Sequence, residues 1–519
     1  MTALGTTPPL RAEEFESTAA LLAAAARVHG DRDAYVEPGG GRISFADWAS
    51  RAHSLAAHLY GRGIGKGDVV ALILPSGIDY AVCLAAVAML GGVTTGVNPR
   101  LGPRETEAIF AQSRPALVIR DPDANLPEAP AGYPTMTRAD VTAAVAEIER
   151  APSVAITRSD PVTIVFTSGT TGLPKGAWFD ADNLAASAAA SGIMSAPYDR
   201  RLTGTPFSHA GYMSKLWDQL VWGTALIEAP SPWSAAGMYA VIRDERITVG
   251  GGVPTQWEKL LELPDLDPSA FAHLRVGVVA SAPASPALIS RVRDLIGVPL
   301  VVRYAMTESP TVCGTEPDDA VDVQFRTVGR PQYGMKVRIT DADGRDVSAG
   351  EVGRIRIRGG CVTRGYWNNK ALTAESFDQD GYFVSSDLGY FTDEGNLVLA
   401  GRVGDMYIRG GFNVHPVEVE HAIGEHPDVL HAAVVGHPAP VIGEMGVAFV
   451  VPEDPARPPT LEDLRTWSRA RLADYKAPDY LIVVETIPLN AMAKTDRAAL
   501  HSLAQEHLSR NPVVRQRRT

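Results

Sequence analysis

Residues 167–176, TSGTTGLPKG, hold three glycines, four hydroxyl side chains and one lysine, directly behind the apolar run 162–167 (VTIVFT). A loop so dense in backbone N–H donors and hydroxyls suits the β- and γ-phosphates of a nucleotide, with Lys175 as a point charge. It is not a Walker loop. The spacing Gly169-x-x-Gly172-x-x-Lys175-Gly176 lacks the four-residue gap and the Ser or Thr after the lysine. A plain glycine-rich surface loop is the bland alternative, and this order of residues is more specific than such a loop needs.

Other residues able to do chemistry are spread along the chain. Tyr304-Ala305-Met306-Thr307-Glu308 follows another apolar run. Its Thr-Glu pair alone reads as a helix N-terminus, while the Glu308 carboxylate is of the kind Mg²⁺ takes alongside phosphate oxygens. Asp387 lies in YFVSSDLG (382–389), where a turn aspartate is the plain reading. Arg402 and Gly404 lie in GRVGD (401–405), and His209 lies in PFSHAG (206–211). An isolated histidine is more often a satisfied core residue. Lys494 lies in NAMAKTDRAAL (490–500), where a lone lysine is ordinarily solvated surface.

These residues need a large scaffold. At 519 residues at least two domains are expected. Residues 44–60 read as an amphipathic helix, capped by Ser44 with Asp47 three positions on and ended by Gly61 and Gly63. A short apolar strand follows at 69–74, and residues 80–90 read as a buried helix rather than a membrane span. Further strands at 116–119, 162–167, 276–280 and 300–304, with helical stretches between, predict a largely parallel sheet covered by helices. After about residue 330 the pattern becomes alternating, with turns at Asp343-Gly344, Asp380-Gly381 and Glu394-Gly395. That predicts a smaller antiparallel unit, a distorted barrel. Residues 401–411 (GRVGDMYIRGG) read as a linker into a separate α+β unit. The fold class is therefore α/β: a large N-terminal domain (1–401) of helix-covered, largely parallel sheets plus the barrel, a hinge at 402–405, and a small mobile α+β C-terminal domain (406–519).

Composition narrows the partners. Hydrophobic residues make up 45% and charged residues 21%, an ordinary soluble balance. The net charge of −12 disfavours nucleic acid and anionic lipid. It disfavours ATP at long range too, so a phosphate site must be built locally. The basic segment 510–519 reads as a solvated tail. Three scattered cysteines form no disulfide or zinc pattern, and the N-terminus carries no signal-peptide pattern, so a cytoplasmic location is expected.

Taken together and in order, these motifs resemble the adenylate-forming superfamily of acyl-CoA synthetases, peptide-synthetase adenylation domains and beetle luciferases. The resemblance runs from GIGKGDVVALILPSG near the start to NAMAKTDRAAL near the end. It implies that Thr167, Ser168, Gly169, Thr170, Thr171, Gly172 and Lys175 surround the ATP phosphates. By the same match Tyr304 stacks on adenine, Thr307 contacts the α-phosphate, Glu308 holds Mg²⁺, and Asp387 and Arg402 grip the ribose. Lys494 would enter the site during adenylation and bridge carboxylate and α-phosphate. Gly404 matches the hinge, and His209 the route between acyl site and thiol tunnel. Gly410 and Gly411 match the loop lining the coenzyme A channel, and Tyr475-Lys476-Ala477-Pro478 a segment common in CoA-using members. This chain departs from the pattern at Ser386 and Ala493, where glycine is usual, and at Gly404, where Asp or Lys is common. Arg303, directly before Tyr304, falls in the acid pocket. Malonate-activating members carry an arginine there, which implies a short or polar acid with a second anionic or acceptor group, unless Arg303 pairs with a structural acid. The implied reaction consumes ATP, Mg²⁺ and a small carboxylic acid and transfers the acyl group to coenzyme A. Alternatives are loading of a carrier-protein phosphopantetheine, luciferase-like oxidation, and an inactive nucleotide-binding scaffold. The sequence carries no signal for oligomeric state.

Overall fold

The computed structural model describes residues 7–147, 150–167, 173–279, 286–489 and 495–510. Among the described residues, the strands form four sheets. The amphipathic helix is Phe45–Gly61, and Ser44 Oγ caps it by accepting from the Asp47 N–H at 3.0 Å. Its apolar face, including Phe45, Trp48, Leu55 and Leu59, is wholly buried. Helix Ile78–Met89 is buried at every residue except Asp79. It packs beside Phe45–Gly61 in a core that also holds side chains of two different sheets, Tyr35 and Leu226 from one and Val70, Leu72 and Ile119 from the other. Burial on all sides explains why its sequence has no polar stripe. No helix is long and apolar enough to cross a membrane among the described residues.

The first sheet has nine strands, parallel in the middle and antiparallel at both edges. Strands Arg200–Thr203, Val249–Gly252, Val276–Val279 and Leu300–Met306 lie side by side in it. The second has six strands, with Val69–Ile73, Val93–Gly96 and Pro161–Thr167 parallel and Lys175–Asp180 returning antiparallel. The third contains Met335–Thr340, Gly353–Gly359, Phe383–Phe391 and Leu397–Arg402, all antiparallel. The three expected turns are there, with Gly344, Gly381 and Gly395 all at φ near +80°. The expected distorted barrel is instead an open four-stranded sheet: its order begins at Met335–Thr340 and ends at Leu397–Arg402. Four strands are too few to close a ring around side chains.

A separate C-terminal domain holds the fourth sheet, built on the long pair Val429–Ala439 and Gly443–Pro452, with Tyr480–Val483 added in parallel. Helices Pro416–Gly424, Leu461–Arg469 and Arg497–Arg510 cover it. The linker is shorter than the glycine content predicts. Strand Leu397–Arg402 stays paired up to Arg402 and the next strand starts at Tyr407, which leaves 403–406 between them. Arg326 pairs with Glu425 at 2.8 Å and His431 meets Glu258 at 3.3 Å across the two domains. Cys83, Cys313 and Cys361 are free and buried.

Gly96 ends its strand against the segment that carries His209. A Cβ there would stand 2.3 Å from the Tyr80 hydroxyl and 2.6 Å from Ser208 Cα. Gly96→Ala is therefore expected to lower the unfolding free energy by about 2 kcal/mol. An unchanged urea midpoint would show that this close approach is not required.

Candidate active site

Two residues from separate motifs converge on the carboxylate of a third. Strand Leu300–Met306 delivers Tyr304, which is buried and donates its hydroxyl to Asp387 Oδ2 at 2.6 Å. Asp387 and Arg402 sit opposite each other on neighbouring antiparallel strands, and Arg402 Nε donates to Asp387 Oδ1 at 2.7 Å. The Asp387 N–H donates to Ser385 Oγ. Burial, together with the adjacent carboxylate, keeps the Tyr304 hydroxyl protonated well beyond neutral pH. Burial is the largest influence on Arg402 and acts to lower its pKa, but the charge and hydrogen bond of Asp387, with Asp405 and Tyr304 adding to them, together outweigh it and the net shift is upward. Ser386, the departure beside Asp387, accepts from the Val403 N–H through its carbonyl, so this strand also fixes the start of the linker.

Thr307 and Glu308 occupy the turn between Leu300–Met306 and Ser309–Gly314, whose ends Met306 and Ser309 pair. The pair is a hairpin turn, so the helix-start reading does not hold. A strand partner downstream captures the backbone that a helix would have used. Glu308 Oε1 accepts from the Tyr366 hydroxyl at 2.7 Å, and the Glu308 carbonyl accepts from the Thr363 N–H. The segment around Tyr366 is stitched in turn to the strand beginning at Lys175. Ala177 bridges Tyr366, and the Trp367 N–H donates to the Gly176 carbonyl at 2.7 Å. Tyr366 is a positioning residue that the sequence reading missed. Nothing in local spacing connects it to a carboxylate 58 residues away.

The two stems of the glycine-rich loop are held together, because Thr167 pairs with Lys175 in register. Ser168, Gly169, Thr170, Thr171 and Gly172 lie outside the described residues, as does Lys494. His209 caps the short helix Ala210–Met213, its Nδ1 accepting from the Gly211 N–H at 3.1 Å. It lines a small crevice with Thr167, Pro174, Phe166, Ser208 and Gly96, which sets it against the loop stems. Arg303 folds back on the backbone: Nη1 donates to the carbonyls of Val302 and Thr315, and Nη2 is buried with no partner among the described residues. It makes no ion pair among the described residues. Glu316 and Asp319 act on it only at longer range, and burial lowers its pKa. Gly404 lies at φ +100° with open space where a Cβ would be, and Gly410 and Gly411 are likewise left-handed and open.

Both the glycine-rich loop and the Tyr304–Glu308 turn leave the carboxyl ends of strands in parallel sheets, where open α/β folds bind their ligands. For a divalent cation, the described residues contain no group of three or more His, Cys, Asp or Glu side chains that could hold it. Glu308 has one oxygen on Tyr366 and a second not engaged by that bond, a hard donor that fits Mg²⁺ arriving with polyphosphate.

Residues 22–367 match the AMP-binding enzyme family model and residues 418–494 the AMP-binding enzyme C-terminal domain. The chain is 30% identical over 463 residues to a feruloyl-CoA synthase from Amycolatopsis sp, covering 88% of this chain and 93% of that protein. It is 31% identical over 488 residues to the long-chain-fatty-acid–CoA ligase FadD13 of Mycobacterium tuberculosis, covering 90% and 94%. The structure of ATP-bound MatB from Rhodopseudomonas palustris superposes with a TM-score of 0.84 at 27% identity, covering 94% of this chain and 99% of that one.

The Asp387 cluster makes a stability prediction independent of any ligand. Asp387→Asn should lower the unfolding free energy by about 2 kcal/mol and Tyr304→Phe by about 1 kcal/mol. Because the two share one hydrogen bond, urea unfolding of the double variant should fall short of their sum by at least about 0.5 kcal/mol. Strict additivity would contradict the shared bond.

Proposed function

The chain belongs to the AMP-binding enzyme family, and we propose how its residues carry out the reaction of an AMP-forming acyl-CoA ligase. In the first step a carboxylate attacks the α-phosphorus of ATP and pyrophosphate leaves. A carboxylate is a poor electrophile because its own oxygen is a poor leaving group, and AMP is a good one. In the second step the thiol of coenzyme A attacks the mixed anhydride.

The observation that carries the assignment is the convergence of Tyr304, Asp387 and Arg402 from three distant motifs. In this reading Tyr304 presents its ring to adenine and the Asp387–Arg402 pair receives the ribose hydroxyls. The glycine-rich loop with Thr167, Ser168, Gly169, Thr170, Thr171, Gly172 and Lys175 holds the phosphates, and Thr307 contacts the α-phosphate. Glu308, oriented by Tyr366, would hold Mg²⁺, which supplies charge neutralisation on the polyphosphate when bound. Lys494 stabilises the charge that builds at the five-coordinate phosphorus.

We further propose a division at 1–401 and 406–519 with 402–405 as the hinge. The left-handed φ of Gly404 and the open space around it support a rotation there that withdraws Lys494 and brings Gly410 and Gly411 to the thiol channel. His209, against the loop stems, would stand between acid and thiol. Arg303, whose Nη2 has no partner among the described residues, is the acid-pocket cation and favours a short or polar acid. The cytoplasm is the proposed compartment, which unpaired cysteines suit. The second reading is delivery of the acyl group to a carrier-protein phosphopantetheine. Thioester formation with coenzyme A alone separates the two.

Lys494→Ala is expected to slow acid-dependent pyrophosphate release about a thousandfold, while thioester formation from supplied acyl-AMP falls only severalfold. Adenylation at the original rate would remove Lys494 from the chemistry. Arg303→Gly should alter the relative rates across a panel of short, polar and long-chain acids, and an unchanged profile would remove Arg303 from the acid pocket.

A further inference from the structure

Arg497 opens helix Arg497–Arg510, three residues beyond Lys494. Its guanidinium uses all three nitrogens and reaches three elements at once. Nη1 donates to Glu420 Oε1 at 3.0 Å and to the Val434 carbonyl at 2.7 Å, and Nη2 donates to Glu420 Oε2 at 3.2 Å. These acceptors belong to helix Pro416–Gly424 and strand Val429–Ala439 of the C-terminal domain. Glu420 Oε1 is fixed in turn by the Val434 N–H at 2.8 Å. The remaining nitrogen, Nε, pairs with Asp405 Oδ2 of the linker at 3.2 Å. The two side chains are 23% and 29% exposed, so water competes with this pair less than with an ordinary surface pair.

The two sides of the linker are therefore held by different domains. Val403 donates its N–H to the Ser386 carbonyl of the large domain at 2.8 Å, while Arg497 of the small domain holds the Asp405 carboxylate. Gly404 lies between these attachments at φ +100°, with nothing within 4 Å of the position a Cβ would take. The Asp405 N–H donates across it to the Arg402 carbonyl at 3.1 Å, closing a turn rather than a strand pair. On the other side of Arg497, the residues flanking 490–494 are joined to each other. Leu489 bridges Thr495, and the Asp496 N–H donates to the Pro488 carbonyl at 2.8 Å. Asp496 Oδ1 accepts from the Ala499 N–H at 3.0 Å, capping the helix. One guanidinium thus ties the end of the linker to the base of the segment that carries Lys494.

We propose that Arg497 and Asp405 are positioning residues for the first half-reaction. Their ion pair makes Asp405 part of the small domain, confines rotation to Gly404 and conveys that rotation to Lys494. The inference rests on the reading above in which Lys494 acts in adenylation and Gly404 is the hinge. Neither side chain is assigned a contact with substrate, so their effect is one of placement. A misplacement of about 1 Å is enough to cost about a hundredfold in rate.

Asp405→Asn tests it, because it removes the charge on the linker side and leaves Arg497 paired with Glu420. Acid-dependent pyrophosphate release should slow about tenfold in kcat, with the KM values for ATP and acid within about twofold of wild type. Thioester formation from supplied acyl-AMP, which does not use Lys494, should stay within about twofold, and this also reports that both domains are folded. In Lys494→Ala the residue being placed is gone, so adding Asp405→Asn should slow pyrophosphate release by no more than about a further twofold. Unchanged pyrophosphate release in Asp405→Asn, equal slowing of both half-reactions, or the same loss repeated in the Lys494→Ala background overturns the clamp and leaves the ligase reading intact. Pyrophosphate release at the original rate in Lys494→Ala itself overturns the adenylation role of Lys494 and the clamp with it.

Discussion

The carboxylate of Asp387 accepts from a phenol on one side and a guanidinium on the other, and most of the architecture is arranged around that arrangement. Tyr304 comes from the end of a parallel strand in the nine-stranded sheet, Asp387 from the four-stranded antiparallel sheet, and Arg402 from the last strand before the linker. Charge-assisted hydrogen bonds of this kind are among the stronger polar contacts a protein makes, and they impose direction as well as energy. One small group thereby fixes the relation of two sheets and the point at which the chain departs for its second domain.

A similar economy governs the phosphate side. The glycine-rich loop is anchored by a hairpin, and that hairpin is stitched to the segment bearing Tyr366, which in turn orients Glu308. The two loop stems and the Glu308 turn are thus braced against one another through the Tyr366 segment. Glycine permits the close approaches that this bracing requires. At Gly176 a Cβ would come within 3 Å of the Ile164 and Phe166 side chains, and at Gly314 it would collide with Arg303.

Much of this could be read before any coordinates. Helix Phe45–Gly61 and its Ser44 cap, the buried helix Ile78–Met89 and the apolar parallel strands follow from periodicity and burial, which act locally. The Asp-Gly and Glu-Gly turns were legible because only glycine takes their backbone conformation without strain. Three features were not legible. The Thr307-Glu308 turn depends on a returning strand, and a helix cap looks the same in sequence. The open four-stranded sheet depends on register between distant strands. Tyr366 takes its significance from Glu308, 58 residues away, and no spacing rule reaches that far.

The three buried thiols carry a consequence for an enzyme whose second substrate is itself a thiol. Cys83 and Cys313 are shifted strongly upward by burial, and Cys361 is pushed up to about 11 by the same cause. Thiol–disulfide exchange requires an accessible thiolate. None of the three can supply one at neutral pH, so oxidised coenzyme A finds no site on the folded chain at which to form a mixed disulfide.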